Sequence, residues 1–204
     1  MTSSIFKAPL ILASKSSARQ ALLRNAGFAF AIQSADLDEA QLIRTVKRQS
    51  TTPGDIALHL AIAKARQVSK LNPHIYTLGG DQLLTCEGQI YSKPEHRQAA
   101  IEQLLQLSGR RHELYSAAAL IIDDEIKISV LTKARLTLRT LSRAEIEDYL
   151  DLVGPEVFQC VGSYQLEGAG IHLFDHVEGD YWTILGLPLL ELNRKMRELN
   201  LLAV

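Results

Sequence analysis

From Thr77 to Pro94 the chain reads Thr-Leu-Gly-Gly-Asp-Gln-Leu-Leu-Thr-Cys-Glu-Gly-Gln-Ile-Tyr-Ser-Lys-Pro. Asp81 follows two residues without side chains, and Lys93 stands near the end of the stretch. A carboxylate with open backbone beside it and a cation facing it suits metal-assisted phosphate chemistry: a base or metal ligand, a counter-charge, and close backbone approach. The competing reading is a surface turn with an ordinary ion pair. Three other groups carry related chemistry. Ser14-Lys15-Ser16-Ser17 and Arg19 place hydroxyls and cations where a strand gives way to a helix, a natural anion site. The alternative there is a serine N-cap with solvated cations, and the missing glycines exclude a Walker loop. The acidic run Ser34-Ala35-Asp36-Leu37-Asp38-Glu39 either binds metal or caps the next helix. Lys64 is set among small residues in Ala61-Ile62-Ala63-Lys64-Ala65, where a lysine otherwise only snorkels to the surface.

The elements that must position these residues follow from periodicity and punctuation. Pro9 to Ala13 predict a buried strand, and Ala18 to Ala26 a helix with Leu22, Leu23 and Ala26 on one face, closed by Gly27. Phe28 to Gln33 predict a second strand. Thr52-Pro53-Gly54-Asp55 is a helix start, and that helix runs to about Leu71. Ile75 to Leu78 predict a strand ending at the glycines. Gln82 to Cys86 and Gln89 to Tyr91 form a hairpin about Glu87-Gly88 that brings Lys93 back towards the level of Asp81.

Glu95 to Leu107 predict an amphipathic helix. His112 to Ile122 and Glu125 to Leu138 predict an antiparallel pair, and Ser142-Arg143-Ala144-Glu145 is a capping box for a helix ended by Gly154-Pro155. Cys160 to Gly170 hold three glycines and Glu167, which implies backbone folded closely around a ligand or another strand. Ile171 to Val177 and Trp182 to Leu185 read as strands, and Leu189 to Leu199 as a last helix with Leu190, Met196 and Leu199 facing inward. His172 and His176, four apart on an expected strand, are too far apart for an easy metal pair.

Composition narrows the function classes. The 204 residues are 47% hydrophobic and 22% charged, enough for one large domain or two small lobes with a sizeable core. A formal net charge of −1 argues against a nucleic-acid partner, because no excess of cations is available for a phosphate backbone. An anionic small molecule needs only a local cluster of Lys and Arg. Cys86 and Cys160 lack metal spacing and read as reduced core thiols. The apolar run Leu10 to Ala13 is too short for a signal peptide, and no stretch nears the roughly 18 apolar residues of a membrane span. A cytoplasmic location, with no membrane association, is the expectation.

In order, six segments resemble the Maf family of nucleoside triphosphate pyrophosphatases, from about Leu10 to Leu199. They are Ile11-Leu12-Ala13-Ser14 with Arg19; Asp38-Glu39; Lys64-Ala65; Gly79-Gly80-Asp81; Lys93-Pro94 with Leu107-Ser108-Gly109 and His112; and Glu145-Ile146 to Tyr149 with Gly162-Ser163-Tyr164 and Gly186-Leu187-Pro188. The resemblance implies a single domain over residues 1–204 with an α/β fold: an elongated, twisted mixed sheet flanked by helices, with a deep nucleotide-binding cleft between two lobes. It implies hydrolysis between the α and β phosphates with Mg²⁺ or Mn²⁺, and a homodimer. The catalytic acid falls on Asp81, the metal-side acids on Glu39 and Asp81, and the phosphate-binding residues on Ser14, Arg19, Lys64 and Lys93.

Three departures bear on the substrate. Ala18 stands where the family's usual Ser-Pro-Arg-Arg run has an arginine. Gln82 stands where the branch acting on dTTP and UTP often has Thr, and Glu167 where that branch often has Gln. Gln82 and Glu167 look like the branch acting on 7-methyl-GTP, and a carboxylate suits a cationic methylated guanine with its N–H donors. Ala18 matches neither branch. The alternatives are a dTTP/UTP pyrophosphatase and a non-catalytic nucleotide-binding regulator of cell division. The presence of Asp81, Glu39 and the lysines favours catalysis.

Overall fold

The computed structural model describes residues 4–47 and 52–203. Strand β1 (Leu10–Leu12) is buried throughout and pairs in parallel with β2 (Ala31–Ile32) on one side and with the start of β3 (Tyr76–Cys86) on the other. Parallel neighbours need crossover connections. Helix α1 (Ser17–Asn25) supplies the first, and α2 (Glu39–Lys47) with α3 (Pro53–Ser69) supply the second. The second strand is shorter than the expected Phe28 to Gln33.

Within α3 the local chemistry matches the sequence: Thr52 and Asp55 form a reciprocal capping box with Pro53 in the first turn. Helix α2 was not foreseen. Asp38 starts it, its Oδ1 accepting the Gln41 N–H at 2.8 Å, so that acid is a cap.

The glycines before Asp81 do not end a strand, contrary to expectation. β3 runs unbroken through them for 11 residues. A Cβ on Gly79 would collide with the Ala61 carbonyl and come within 2.8 Å of the Ala65 nitrogen, so the missing side chain lets α3 lie against the strand. The Glu87-Gly88 turn is as expected. Both residues have positive φ (50° and 81°), as a two-residue hairpin requires, and β4 (Gln89–Tyr91) returns with Tyr91 opposite Leu84.

After α4 (Arg97–Leu107) come the long strands β5 (Arg111–Ile122) and β6 (Glu125–Leu138), then α5 (Arg143–Val153), capped by Ser142 and Glu145. The rest is β7 (Phe174–Glu178), α6 (Tyr181–Ile184) and α7 (Leu189–Glu198), with 3-10 turns at Pro155–Gln159 and Ala169–Leu173. The seven strands make one mixed sheet in the order β2-β1-β3-β5-β6-β7, with β4 pairing β3.

Three expectations for the last third are corrected. The stretch 171–177 is a 3-10 turn before a shorter strand. Trp182 to Leu185 is no strand: Asp180 accepts the Thr183 N–H at 2.9 Å and caps a helical turn in its place. On α7 the inward residues are Leu189, Leu192 and Met196, while Leu190 and Leu199 are exposed.

The chain forms two compact units. One comprises the residues up to Gln82, Ser116–Thr132 and the residues from Gly186 onward; the other comprises Leu83–Tyr115 and Lys133–Leu185. The first unit packs Ile11, Ala13 and Val68 together, and Ala65 against Ala119 and Ile121. The second has a core that includes Leu84, Leu104, Leu107, Leu136, Tyr149 and Tyr164. Cys86 is buried there, whereas Cys160 is only half-buried, so just one cysteine is a core thiol.

In that second core His112 Nε2 lies 2.8 Å from the Tyr164 hydroxyl, and burial holds the imidazole down to about 4. The ring is neutral at pH 7. The unfolded chain, with a histidine near pKa 6.5, takes the proton first as pH falls. Stability from this group is therefore full above about pH 6.5 and lost between there and about pH 4. From pH 7 to pH 5 the loss is about 2 kcal/mol. Denaturant unfolding at the two pH values should show wild type losing about that much more than His112→Gln; the same pH dependence in both proteins would contradict it.

Candidate active site

The site is assembled by four elements that bring their residues together in the first unit. Lys64 lies on α3, one residue before Ala65, which packs under Gly79. Its ammonium is 2.5 Å from Asp81 Oδ1 and 2.8 Å from Glu39 Oε1. Asp81 is on β3 on the same strand face as Gly79, so the close approach allowed by the glycine also brings the lysine to the acid. Glu39 enters from the first turn of α2. Lys64 is no snorkelling surface lysine: its side chain is 13% exposed, against 9% for Asp81 and 51% for Glu39.

Arg19 completes the arrangement from the first turn of α1. Its Nε donates to the Gly186 carbonyl at 2.7 Å, and its Nη1 donates to the Ser14 hydroxyl at 3.2 Å. Gly80 leaves room for it, since a Cβ there would stand 3.3 Å from the Arg19 Cδ and Nε. Ser14, buried, also accepts the Ser16 N–H, and Ser16 caps α1. Arg19 is therefore aimed by Ser14 and Gly186, while Lys15 is exposed on the surface. The acceptor role of Gly186 was not foreseen; only its Gly-Leu-Pro context drew notice.

Burial raises the Asp81 carboxyl above its ordinary value; Lys64 and Arg19 oppose the shift and Glu39 adds to it. Burial lowers the Arg19 guanidinium, opposed by Asp81 and Glu39. Two cations and two carboxylates thus lie within electrostatic reach of one another. The two acids present hard oxygen donors to a single cation, a set that suits Mg²⁺ or Mn²⁺ when phosphate oxygens and water supply the remaining ligands. Among the described residues no group of three or more His, Cys, Asp or Glu is placed to hold a metal alone.

Of the other sequence-predicted residues, Ala18 and Gln82 share this unit. Ala18 is half-buried on α1, and Gln82 Nε2 donates to the Ser116 hydroxyl at 3.0 Å. Lys93 and Glu167 belong to the second unit, where both are exposed. Burial raises the Cys160 thiol's pKa and a hydrogen bond with Gln165 opposes it; of the two charges, Glu167 adds to the rise and Lys93 opposes it. The 160–170 loop that carries Glu167 is pinned at Tyr164 by His112 and at Gln165 by the Tyr149 hydroxyl, which accepts its N–H at 3.2 Å. Among the described residues no helix is long and apolar enough to cross a membrane.

Nearly the whole chain is similar to known proteins. The family described as Maf-like protein matches residues 9–199. A nucleoside triphosphate pyrophosphatase of Rhodopseudomonas palustris is 48% identical over 198 residues, spanning 96% of each chain. One of the same name from Bradyrhizobium diazoefficiens is 48% identical over 198 residues, spanning 97% of each. A 7-methyl-GTP pyrophosphatase of Rhizobium meliloti is 44% identical over 191 residues, 94% of this chain and 96% of its own.

The raised Asp81 has a consequence for stability. Its folded pKa lies above its unfolded one, so its ionisation opposes folding once pH exceeds the unfolded value. Asp81→Asn stays neutral at every pH and keeps the shape. It should melt above wild type at pH 7, and the gap should close as pH falls towards 4. Thermal melts across that range check this, and a variant melting below wild type at pH 7 would contradict it.

Proposed function

Because the chain belongs to the Maf-like protein family, we propose that it hydrolyses a nucleoside triphosphate between the α and β phosphates, releasing the monophosphate and pyrophosphate. The observation that carries this reading is the Lys64 ammonium shared by Asp81 and Glu39, with Arg19 close enough to feel both acids. Two positive and two negative side chains balance. A triphosphate brings about four more negative charges, so further positive charge must accompany it. Lys93 is the additional cation that the family pattern assigns to phosphate. A divalent cation held by Glu39 and Asp81 would polarise the phosphoryl oxygens and offset charge on the departing pyrophosphate.

The protein's own groups then have distinct tasks. Arg19, aimed by Ser14 and Gly186, and Lys64 hold phosphate oxygens. Burial raises the proton affinity of Asp81, which suits it to take a proton from the attacking water. For the base, 7-methyl-GTP is the proposed substrate. Glu167 would face a cationic ring and its N–H donors, and the relative from Rhizobium meliloti carries that substrate in its name. An exposed carboxylate discriminates less than a buried one, so the preference should be about tenfold.

Pyrophosphate release measured with 7-methyl-GTP, dTTP, UTP and ITP tests both levels of this reading. Wild type should release pyrophosphate, and Asp81→Asn should lose at least about a hundredfold in kcat. Glu167→Gln should move the kcat/KM ratio of 7-methyl-GTP to UTP towards UTP by about tenfold without abolishing turnover. Orthophosphate as the product, or Asp81→Asn keeping more than about a tenth of the wild-type rate, would overturn the catalytic assignment. An unchanged ratio in Glu167→Gln would overturn the assignment of the base.

A further inference from the structure

Helix α4 carries a buried polar side chain on its core-facing side. Gln103 lies in a row with Ala100, Ile101, Leu104 and Leu107, and is 9% exposed. Its Nε2 donates to the Ser92 carbonyl at 2.8 Å, and its Oε1 accepts from the Ser163 hydroxyl at 2.7 Å. A backbone carbonyl can only accept, so the amide nitrogen must face Ser92 and the oxygen must face Ser163. Both partners adjoin segments that bear functional residues. Ser92 immediately precedes Lys93. Ser163 lies in the loop that carries Glu167, is fully buried, and holds a left-handed φ of 59°. Such a conformation in a non-glycine residue persists only where the surroundings hold it.

His112 on Tyr164 and Tyr149 on Gln165 also brace that loop, and Gln103 ties it to the residue before Lys93. We propose that Gln103 is a positioning residue that sets the Lys93 segment and the Glu167 loop relative to each other, so that the phosphate-binding cation and the base-reading carboxylate are presented together. The glutamine amide offers a donor and an acceptor on one planar group. A leucine there leaves a buried hydroxyl and a carbonyl unpaired, and a glutamate turns an acceptor towards the Ser92 carbonyl. This inference rests on the triphosphate reading above.

The test is steady-state pyrophosphate release from 7-methyl-GTP by wild type, Gln103→Leu, Ser163→Ala, Lys93→Ala and the Gln103→Leu/Lys93→Ala double variant. Gln103→Leu should lower kcat/KM by about ten- to a hundredfold, chiefly through KM, because it displaces a cation that binds ground-state phosphate. In the Lys93→Ala background the same change should cost clearly less than in wild type, since one of the two groups it positions is already gone. A merely structural glutamine would give equal losses in both backgrounds, and that result would overturn the inference. Ser163→Ala removes one of the two bonds with little change in volume and should shift KM in the same direction by a smaller factor. If Gln103→Leu does not fold, wild-type kinetics in Ser163→Ala overturn the proposal. Should wild type release no pyrophosphate from any triphosphate, the functional reading fails and this inference fails with it. Wild-type activity with no effect of Gln103→Leu overturns this inference alone.

Discussion

A lysine ammonium placed between two carboxylates joins α2, α3 and β3, and the first unit's site depends on it. Lys64 can reach Asp81 because Gly79 has no side chain to hold α3 away from the strand. Removing two charges from water is costly, and their attraction repays this only with good geometry and additional partners. Glu39 and Arg19 supply such partners here, yet burial still leaves Asp81 easier to protonate than a free carboxyl. A fold built for stability alone would fill this position with an apolar residue. A charge arrangement that opposes folding while lying ready for an anion is common at functional sites.

That arrangement is balanced, which shapes what it can bind. Each cation already has an acid within reach, so an entering phosphate group must either displace a carboxylate from Lys64 or arrive with a cation that takes the carboxylates over. The second route would suit hard oxygen donors that are few in number, since a divalent ion bound together with phosphate needs only one or two carboxylates from the protein. Ser14 and Gly186 keep Arg19 oriented independently of any ligand, which reduces the ordering cost when phosphate arrives.

Much of this was legible in the sequence, for identifiable reasons. Thr52-Pro53-Gly54-Asp55, Ser142 with Glu145, and Glu87-Gly88 specify local hydrogen bonds or backbone angles that do not depend on the rest of the chain, and all three formed as expected. Gly79 and Gly80 read in sequence as the end of a strand, whereas they lie inside β3. A glycine that ends a strand and one that admits a helix look alike until the partner helix is in place. Tyr181-Trp182-Thr183-Ile184 has strand-like composition, but one side-chain cap from Asp180 outweighs a weak propensity. Helix α2 did leave a signal, since Asp38 and Gln41 are spaced as a cap and its third helical residue. Gln103 left a fainter one: a glutamine in the apolar row of an amphipathic helix. Its two partners, 11 and 60 residues away in the chain, could not be paired with it by spacing alone.

The central claim is that Lys64, held by Asp81 and Glu39, is a ligand for phosphate. Equilibrium titration with a triphosphate analogue whose α–β bridge cannot be hydrolysed, in the presence of Mg²⁺, measures this without reference to turnover. Lys64→Met keeps an unbranched side chain one atom shorter and removes the charge. Its Kd should be at least about tenfold weaker than wild type, a loss of about 1.4 kcal/mol or more, with the melting transition still cooperative. An unchanged Kd in a folded Lys64→Met protein would contradict the account and leave the lysine as a counter-ion for Asp81 and Glu39.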